Sequence, residues 1–270
     1  MDTTQLRELQ LELLDILLDV QHFCEEQGIT FYLGEGTLLG AVRHHGFIPW
    51  DDDVDILMER KDYEKFLRIA PDALRDKYVI QHPSTVHPCW TTFIKVRVKN
   101  ENPIFIQEHI RHLTPYCGPC IDIFPLEYVA VQDSPSQRIQ CAQIRLCRRM
   151  IGYKLKIWYP FNLKTHFIKL LSHFFSLDWL HAQTEKAMRR QGDAEKDYIA
   201  AFSTFHKYKH IVAPKEAYGV EYTLFEGYKM PIPTGYDMLL TKIYGDWRMI
   251  PKDAQRETKH HYIVVNEKPR

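Results

Sequence analysis

Residues 50–57 read Trp-Asp-Asp-Asp-Val-Asp-Ile-Leu, four carboxylates running straight into an apolar strand, and few folds accept such a segment. Successive side chains on a strand point to opposite faces. Asp53 and Asp55 are therefore predicted to share one face, about 6.5–7 Å apart along the backbone. Two unpaired carboxylates at that spacing repel and raise one another's pKa. Oxygen-only ligation of Mg²⁺ or Mn²⁺ relieves the repulsion directly. A third carboxylate would complete such a site. Asp122, in Cys120-Ile121-Asp122-Ile123-Phe124, is the candidate: a single acid among apolar neighbours, with no salt-bridge partner nearby in sequence. A metal would stabilise its charge there. For Asp51 and Asp52, a solvated acidic turn is an equally good reading.

The flanking sequence predicts the elements that carry these acids. Residues 5–27 repeat apolar side chains at three and four, an amphipathic helix that Asp2 and Gln5 cap and Gly28 stops. Ile29–Leu33 reads as a short buried strand, Gly34-Glu35-Gly36 as a turn, and Thr37–His44 as a short helix. Backbone N–H groups at such a helix start bind phosphate, and Thr37 adds a hydroxyl. Val54–Met58, Tyr78–Gln81, Thr92–Val98 and Ile121–Phe124 are strand candidates, and Lys61–Ala70 a surface helix. This alternation predicts an α/β or α+β layer. From Pro135 to about Arg190 the pattern turns helical, and a last short helix covers Tyr236–Tyr244. The expected organisation is a core over 1–132, a helical basic and aromatic region over 133–210, and a segment over 211–270 that packs back on the core.

Charge is balanced overall, with 35 Lys plus Arg against 35 Asp plus Glu, so no global basic field points to a nucleic-acid partner. The balance hides an asymmetry. Ser134–Leu177 holds no acid in 44 residues and carries +8 from Arg138, Arg145, Arg148, Arg149, Lys154, Lys156, Lys164 and Lys169. Ile151, Tyr153, Trp158, Tyr159, Phe161, Phe167, Phe174 and Phe175 are interleaved with them. Bases mixed with bulky aromatics at helical spacing suit an anionic membrane surface, where each Lys or Arg is worth roughly 1 kcal/mol. A pair of helices with solvated basic faces is the plainer reading. No stretch approaches the 18 apolar residues of a spanning helix, and the acidic amphipathic N-terminus does not read as a cleaved signal.

Other motifs close off. Gly-x-Gly-x-x-x-Gly over 34–40 mimics a dinucleotide fingerprint, but the acids cluster at the wrong end of the next strand. Cys117-Gly118-Pro119-Cys120 runs into strand-like sequence instead of opening a helix, so neither a redox dithiol nor half a zinc site with Cys141 or Cys147 is expected. There is no nucleophile elbow, no phosphate-loop lysine and no metalloprotease helix. His44-His45 and His260-His261 read as surface or supporting groups.

A Gly-Thr turn, an Asp-x-Asp strand and a later lone Asp together resemble the nucleotidyltransferase fold, which implies the α+β form, a mixed sheet flanked by helices. Within it, the block from Gly36-Thr37-Leu38-Leu39-Gly40 through Arg43-His44-His45-Gly46-Phe47-Ile48-Pro49-Trp50 to Asp55 is similar to the LicD family. The likeness continues in Ile121-Asp122-Ile123-Phe124-Pro125-Leu126, Phe225-Glu226-Gly227-Tyr228, Pro231-Ile232-Pro233 and Tyr244-Gly245-Asp246-Trp247. Thr37 stands where many nucleotidyltransferases have Ser, and the gap from Thr37 to Asp53 is longer than in minimal members.

The resemblance implies a metal-dependent transfer of phosphocholine from CDP-choline to a hydroxyl of a polyprenyl-diphosphate-linked glycan precursor of teichoic-acid type, with CMP leaving. Asp53, Asp55 and Asp122 would hold Mg²⁺ (or Mn²⁺), and Asp122 would also orient or deprotonate the acceptor. Gly36 and Thr37 would hold phosphates, with Arg43, Lys95 or Arg97 neutralising the diphosphate. The choline head would want aromatic faces; Trp50, Trp90, Tyr116 and Phe124 lie near the motifs, and the sequence does not choose among them. The place of work would be cytoplasmic, peripheral on the inner membrane face through residues 134–177. Rival readings are ribitol-phosphate or glycerol-phosphate transfer from a CDP-alcohol, a nucleotidyltransferase acting on a sugar or antibiotic, and a silent lipid-surface module.

Overall fold

The computed structural model describes residues 1–101, 103–130, 134–157, 163–192, 194–203, 212–252 and 262–265. The first helix, α1 (Thr3–Gln27), begins where Asp2 and Gln5 cap each other's backbone N–H groups and ends at Gly28 in the left-handed conformation, φ 58°. Its apolar stripe of Leu9, Leu13, Ile16, Leu17 and Val20 is fully buried.

The chain then lays down a mixed sheet. Strands β1 (Tyr32–Leu33), β2 (Asp55–Glu59), β6 (Cys120–Val129), β4 (Ile94–Val98) and β3 (Tyr78–Gln81) lie side by side in that order. β2 and β6 run parallel, while the other pairs along this path are antiparallel. Further along, β7 (Tyr198–Ala200) pairs with the far half of β6, and β8 (Val212–Pro214) with β7. The sheet therefore crosses the boundary expected near residue 132, and the region expected to be helical contributes a strand.

Period-2 alternation sorts the sheet's side chains. Ile56, Met58, Ile94, Val96, Ile121 and Ile123 pack with α1 and α3 (Arg60–Ala73) into the main core. On the opposite face, Leu57, Phe93, Phe124 and Leu126 meet Cys141 and Ile144 of α4 (Pro135–Lys154) and Ala187 and Met188 of α6 (Leu177–Met188). A buried ion pair of Arg60 with Glu127, joined by Glu185 at 3.0 Å, pins α3, β6 and α6 together. Only half of that second face is apolar. The half nearer the start of β2 and β6 carries Asp55, Asp122 and Lys95.

A hairpin of β9 (Val220–Phe225) and β10 (Tyr228–Pro233) closes over the first helix and the loop before β2. Its turn residues, Glu226 and Gly227, both have positive φ, the geometry a two-residue hairpin turn requires. Glu226 salt-bridges Arg7 at 2.6 Å and accepts from the Phe47 N–H at 3.0 Å. Helix α7 (Tyr236–Tyr244) follows, and β11 (Ile263–Val264) pairs with β5 (Phe105–Ile106). Among the described residues no helix is long and apolar enough to cross a membrane.

Two local expectations need correction. The paired strand begins at Asp55, one residue after its expected start, and Asp51–Asp53 lie in the loop before it. The Gly34–Gly36 turn is the first turn of α2 (Glu35–His44), with Gly34 at its cap.

The basic region divides as well. Arg138, Arg145, Arg149, Lys156 and Lys169 are exposed. Arg148 turns inward over the Phe93 ring, 5.9 Å from its centre, and donates to the Ser203 carbonyl at 2.6 Å. Burial pushes its pKa down to about 10. On α4, α5 (Leu163–Ser172) and the residues just after it, Ile139, Leu146, Phe167, Leu170 and Phe174 stay exposed, Phe174 at 77%. Trp158, Tyr159, Phe161 and the His260-His261 pair lie outside the described residues.

Candidate active site

The parallel register of β2 and β6 sets Asp55 opposite Asp122, and the antiparallel register of β4 sets Lys95 opposite Asp122. Three charged side chains thus meet on adjacent strands through pairing alone. Lys95 Nζ lies 2.5 and 2.7 Å from the two Asp122 oxygens, and both side chains are about nine-tenths buried. Burial alone would depress the Lys95 ammonium, but the charge of Asp122 keeps it above its ordinary value.

Asp55 is 9% exposed. Burial, then the charges of Asp53, Asp122, Glu35 and Asp51, lift its carboxyl well above the usual range. Its backbone N–H donates to Thr37 Oγ1 at 2.8 Å, which ties the first turn of α2 to the start of β2. The loop contributes Asp51 and Asp52, both buried, and Asp53; one carboxylate oxygen from each falls within 4.8 Å of the others. A solvated acidic turn does not describe them. Gly36 is what allows the approach: a Cβ there would stand 2.6 Å from Asp51 Oδ2.

The phenol of Tyr244 is driven up by burial and then by Glu35, Asp55, Asp51 and Asp53, so one ring registers four carboxylates from three segments. Such a concentration of buried carboxylate, with Lys95 already committed to Asp122, is relieved by a hard divalent cation. The all-oxygen donor set fits Mg²⁺ or Mn²⁺ and not a soft metal. This loop is the one group of three metal-capable side chains found among the described residues. The six cysteines are separately buried as free thiols.

The predicted site residues are thus brought to one place, though several hold other partners. Asp53, Asp55 and Asp122 converge, as do Gly36 and Thr37, whose hydroxyl accepts from Asp55 and keeps its own proton to donate. Lys95 is paired with Asp122. Arg43 Nη1 donates to the carbonyls of Trp247 and Met249, at 2.8 and 3.3 Å, which fastens the C-terminal segment beside the site. Arg97 is fully buried and bonded to Gln81, Gln107 and Gly118, a structural residue and not a diphosphate contact. Sequence reasoning left Asp51 open and missed Glu35 and Tyr244. The sequence signal for Tyr244 was its place in the Tyr244-Gly245-Asp246-Trp247 block.

Comparisons with known proteins show what the chain is similar to. Residues 28–134 match the family model described as LicD/FKTN/FKRP, nucleotidyltransferase domain. The chain is 28% identical over 267 residues to the lipopolysaccharide cholinephosphotransferase LicD of Haemophilus influenzae, covering 94% of this chain and 96% of that one. Shorter matches are to uncharacterised proteins of Rickettsia typhi, 39% identical over 27% of this chain and 23% of the relative, and of Rickettsia prowazekii, 32% over 37% and 38%. The acid loop, β2 and the Asp122 strand all fall inside the matched residues 28–134, and the likeness to the Haemophilus protein extends over 94% of the chain: this chain is similar to the LicD family.

Proposed function

We propose that this protein is a metal-dependent phosphotransferase that moves phosphocholine from CDP-choline to a hydroxyl of a lipid-linked surface glycan precursor, of teichoic-acid type, and releases CMP. The observation that carries the reading is the convergence of Asp51 and Asp53, from the loop, with Asp55 and Asp122, from the sheet, at the start of β2, in a chain similar over 94% of its length to a cholinephosphotransferase. That relative's name gives lipopolysaccharide as its acceptor.

In the reaction, the acceptor oxygen forms a bond to the choline-bearing phosphorus while the bond from that phosphorus to CMP breaks. Asp53 and Asp55, with Asp51 from the same loop, would hold Mg²⁺ (or Mn²⁺), which when bound neutralises charge on the diphosphate and the leaving CMP. Lys95 grips both oxygens of Asp122 and so holds that carboxylate in one orientation. From there Asp122 orients the acceptor hydroxyl and takes its proton. The first-turn N–H groups of α2, beside Gly36 and Thr37, offer donors to a phosphate oxygen. Positioning and electrostatics supply most of the rate in such transfers.

A lipid-linked acceptor places the work at a membrane surface, on its cytoplasmic side where CDP-choline is available. The exposed Phe167, Leu170 and Phe174 beside the exposed Lys169 support peripheral contact there. The test of function is release of CMP from CDP-choline with Mg²⁺ and a lipid-linked glycan acceptor, against CDP-ribitol, CDP-glycerol and CTP. Turnover restricted to CDP-choline and lost on chelation is expected. Preference for a polyol donor, or pyrophosphate release from CTP, would overturn the choline assignment.

A further inference from the structure

Beside the acid loop the structure holds a cleft of about 290 Å³, lined by Gly36, Leu39, Ile48, Trp50, Tyr244, Trp247, Met249 and Pro251, with Asp51, Asp246 and Arg43 as its charged groups. That volume sits at the small end for ligand sites, enough for a headgroup but not for a whole nucleotide. Among the described lining residues there is no Ser, Thr, Asn or Gln. A polyol or a cytosine ring needs side chains that give and take hydrogen bonds, and this wall offers aromatic and aliphatic surface instead.

The rings differ in exposure. Trp247 is 6% exposed, donates from Nε1 to Asp237 at 3.1 Å, and has the Arg248 guanidinium over its ring at 4.3 Å. Trp50 and Tyr244 are only half-buried, and Trp50 is braced edge-on by His44, ring centres 6.1 Å apart. An aromatic face attracts a cation that has no hydrogen to donate. The one cation of the wall, Arg43, is tied to His44 Nε2 at 2.9 Å and to two carbonyls.

We propose that this cleft seats a quaternary ammonium group, the choline head of the transferred phosphocholine, against Trp50 and Tyr244. Asp246 balances its charge, while Arg43 on the same wall meets the ester's phosphate. The inference rests on the phosphocholine reading above and adds the place and the chemistry of recognition. A zwitterion matches a wall that carries both signs, and Asp51 joins the cleft to the metal loop.

Phosphocholine and its neutral isostere, the phosphate ester of 3,3-dimethylbutanol, titrated into the full chain with Mg²⁺ and followed by the indole resonances of the tryptophans, test this. CDP-choline turnover is measured on the same samples. The wild type should bind phosphocholine at least about tenfold more tightly than the isostere. Trp50→Leu should bring that ratio below threefold, Trp50→Phe should keep most of it, and Asp246→Asn, at an exposed position, should lower it without touching the core. Turnover of CDP-choline with the same ratio in wild type and in both Trp50→Leu and Asp246→Asn would overturn the cleft and leave the reaction standing. A ratio that collapses in the variants of a protein that does not turn over CDP-choline would keep the cleft and overturn the reaction.

Discussion

Replacing Lys95 by Met removes the ammonium from a carboxylate it contacts at 2.5 and 2.7 Å, in a pair whose side chains are 9% and 10% exposed. Asp122 is then left in the sheet with apolar neighbours and, on the adjacent strand, another carboxyl group, Asp55, instead of a cation. Removing one partner of a buried pair costs about 3–5 kcal/mol, most of it the desolvation of the charge left behind. For a chain of this size that lowers the melting temperature by on the order of 10 °C. The double variant Lys95→Met with Asp122→Leu removes both charges, and the loss should shrink to about 1–2 kcal/mol, because an apolar pair replaces an ion pair at little net cost. Thermal melts in chelator and in excess Mg²⁺ measure all three. The metal should raise the single variant more than the wild type, since a cation beside Asp122 does part of the missing ammonium's work; saturation a hundredfold above Kd is worth about 2.7 kcal/mol. A single variant that melts within about 2 °C of wild type in chelator, or a double variant no more stable than the single, would refute the argument.

Three further perturbations separate the parts of the site. Burial and its neighbours raise the Asp55 carboxyl, so its stabilising contribution is full below the ordinary carboxylate value of 3.8 and is lost as pH rises through the lifted one. Asp55→Asn should therefore raise the urea midpoint of metal-free protein at pH 7, flatten its dependence on pH, and abolish Mg²⁺-dependent turnover; a lower midpoint would contradict the sign. Gly36→Ala puts a methyl 2.6 Å from Asp51 Oδ2 and should cost on the order of 10²-fold in turnover through displacement of the acid loop, with a melting temperature close to wild type. On α5 and the residues after it, Phe167→Asp and Phe174→Asp should each weaken pelleting with anionic vesicles by about tenfold, as each removes an apolar ring that the folded chain leaves in solvent. Unchanged pelleting would remove those residues from the membrane contact.

The elements themselves were legible because their signals are local. The capping box at Asp2, the stripe of α1, the stop at Gly28 and the last helix over Tyr236–Tyr244 came out at the predicted places. So did the single acid among apolar residues at Asp122. The start of β2 was misjudged by one residue: the Val54 carbonyl already accepts from the Asp122 N–H at 2.8 Å, but the paired register with β6 begins at Asp55.

What the residues determined alone was the chemistry: oxygen ligands at close spacing, a helix start able to meet phosphate, and an acid-free basic stretch. What only the tertiary structure decided was which charges meet. Lys95 and Asp122 stand 27 residues apart and Asp55 comes from a third strand; only the order β2-β6-β4 makes them neighbours. Arg148 and Arg97 look as available in sequence as Lys169, yet helix packing and a strand's inward face bury the first two and leave the third exposed. The cleft of Trp50 and Tyr244 joins residues almost two hundred positions apart, and it exists because Arg43 fastens the C-terminal segment to α2. Side-chain type is written into each position, but distance between positions is a property of the folded sheet.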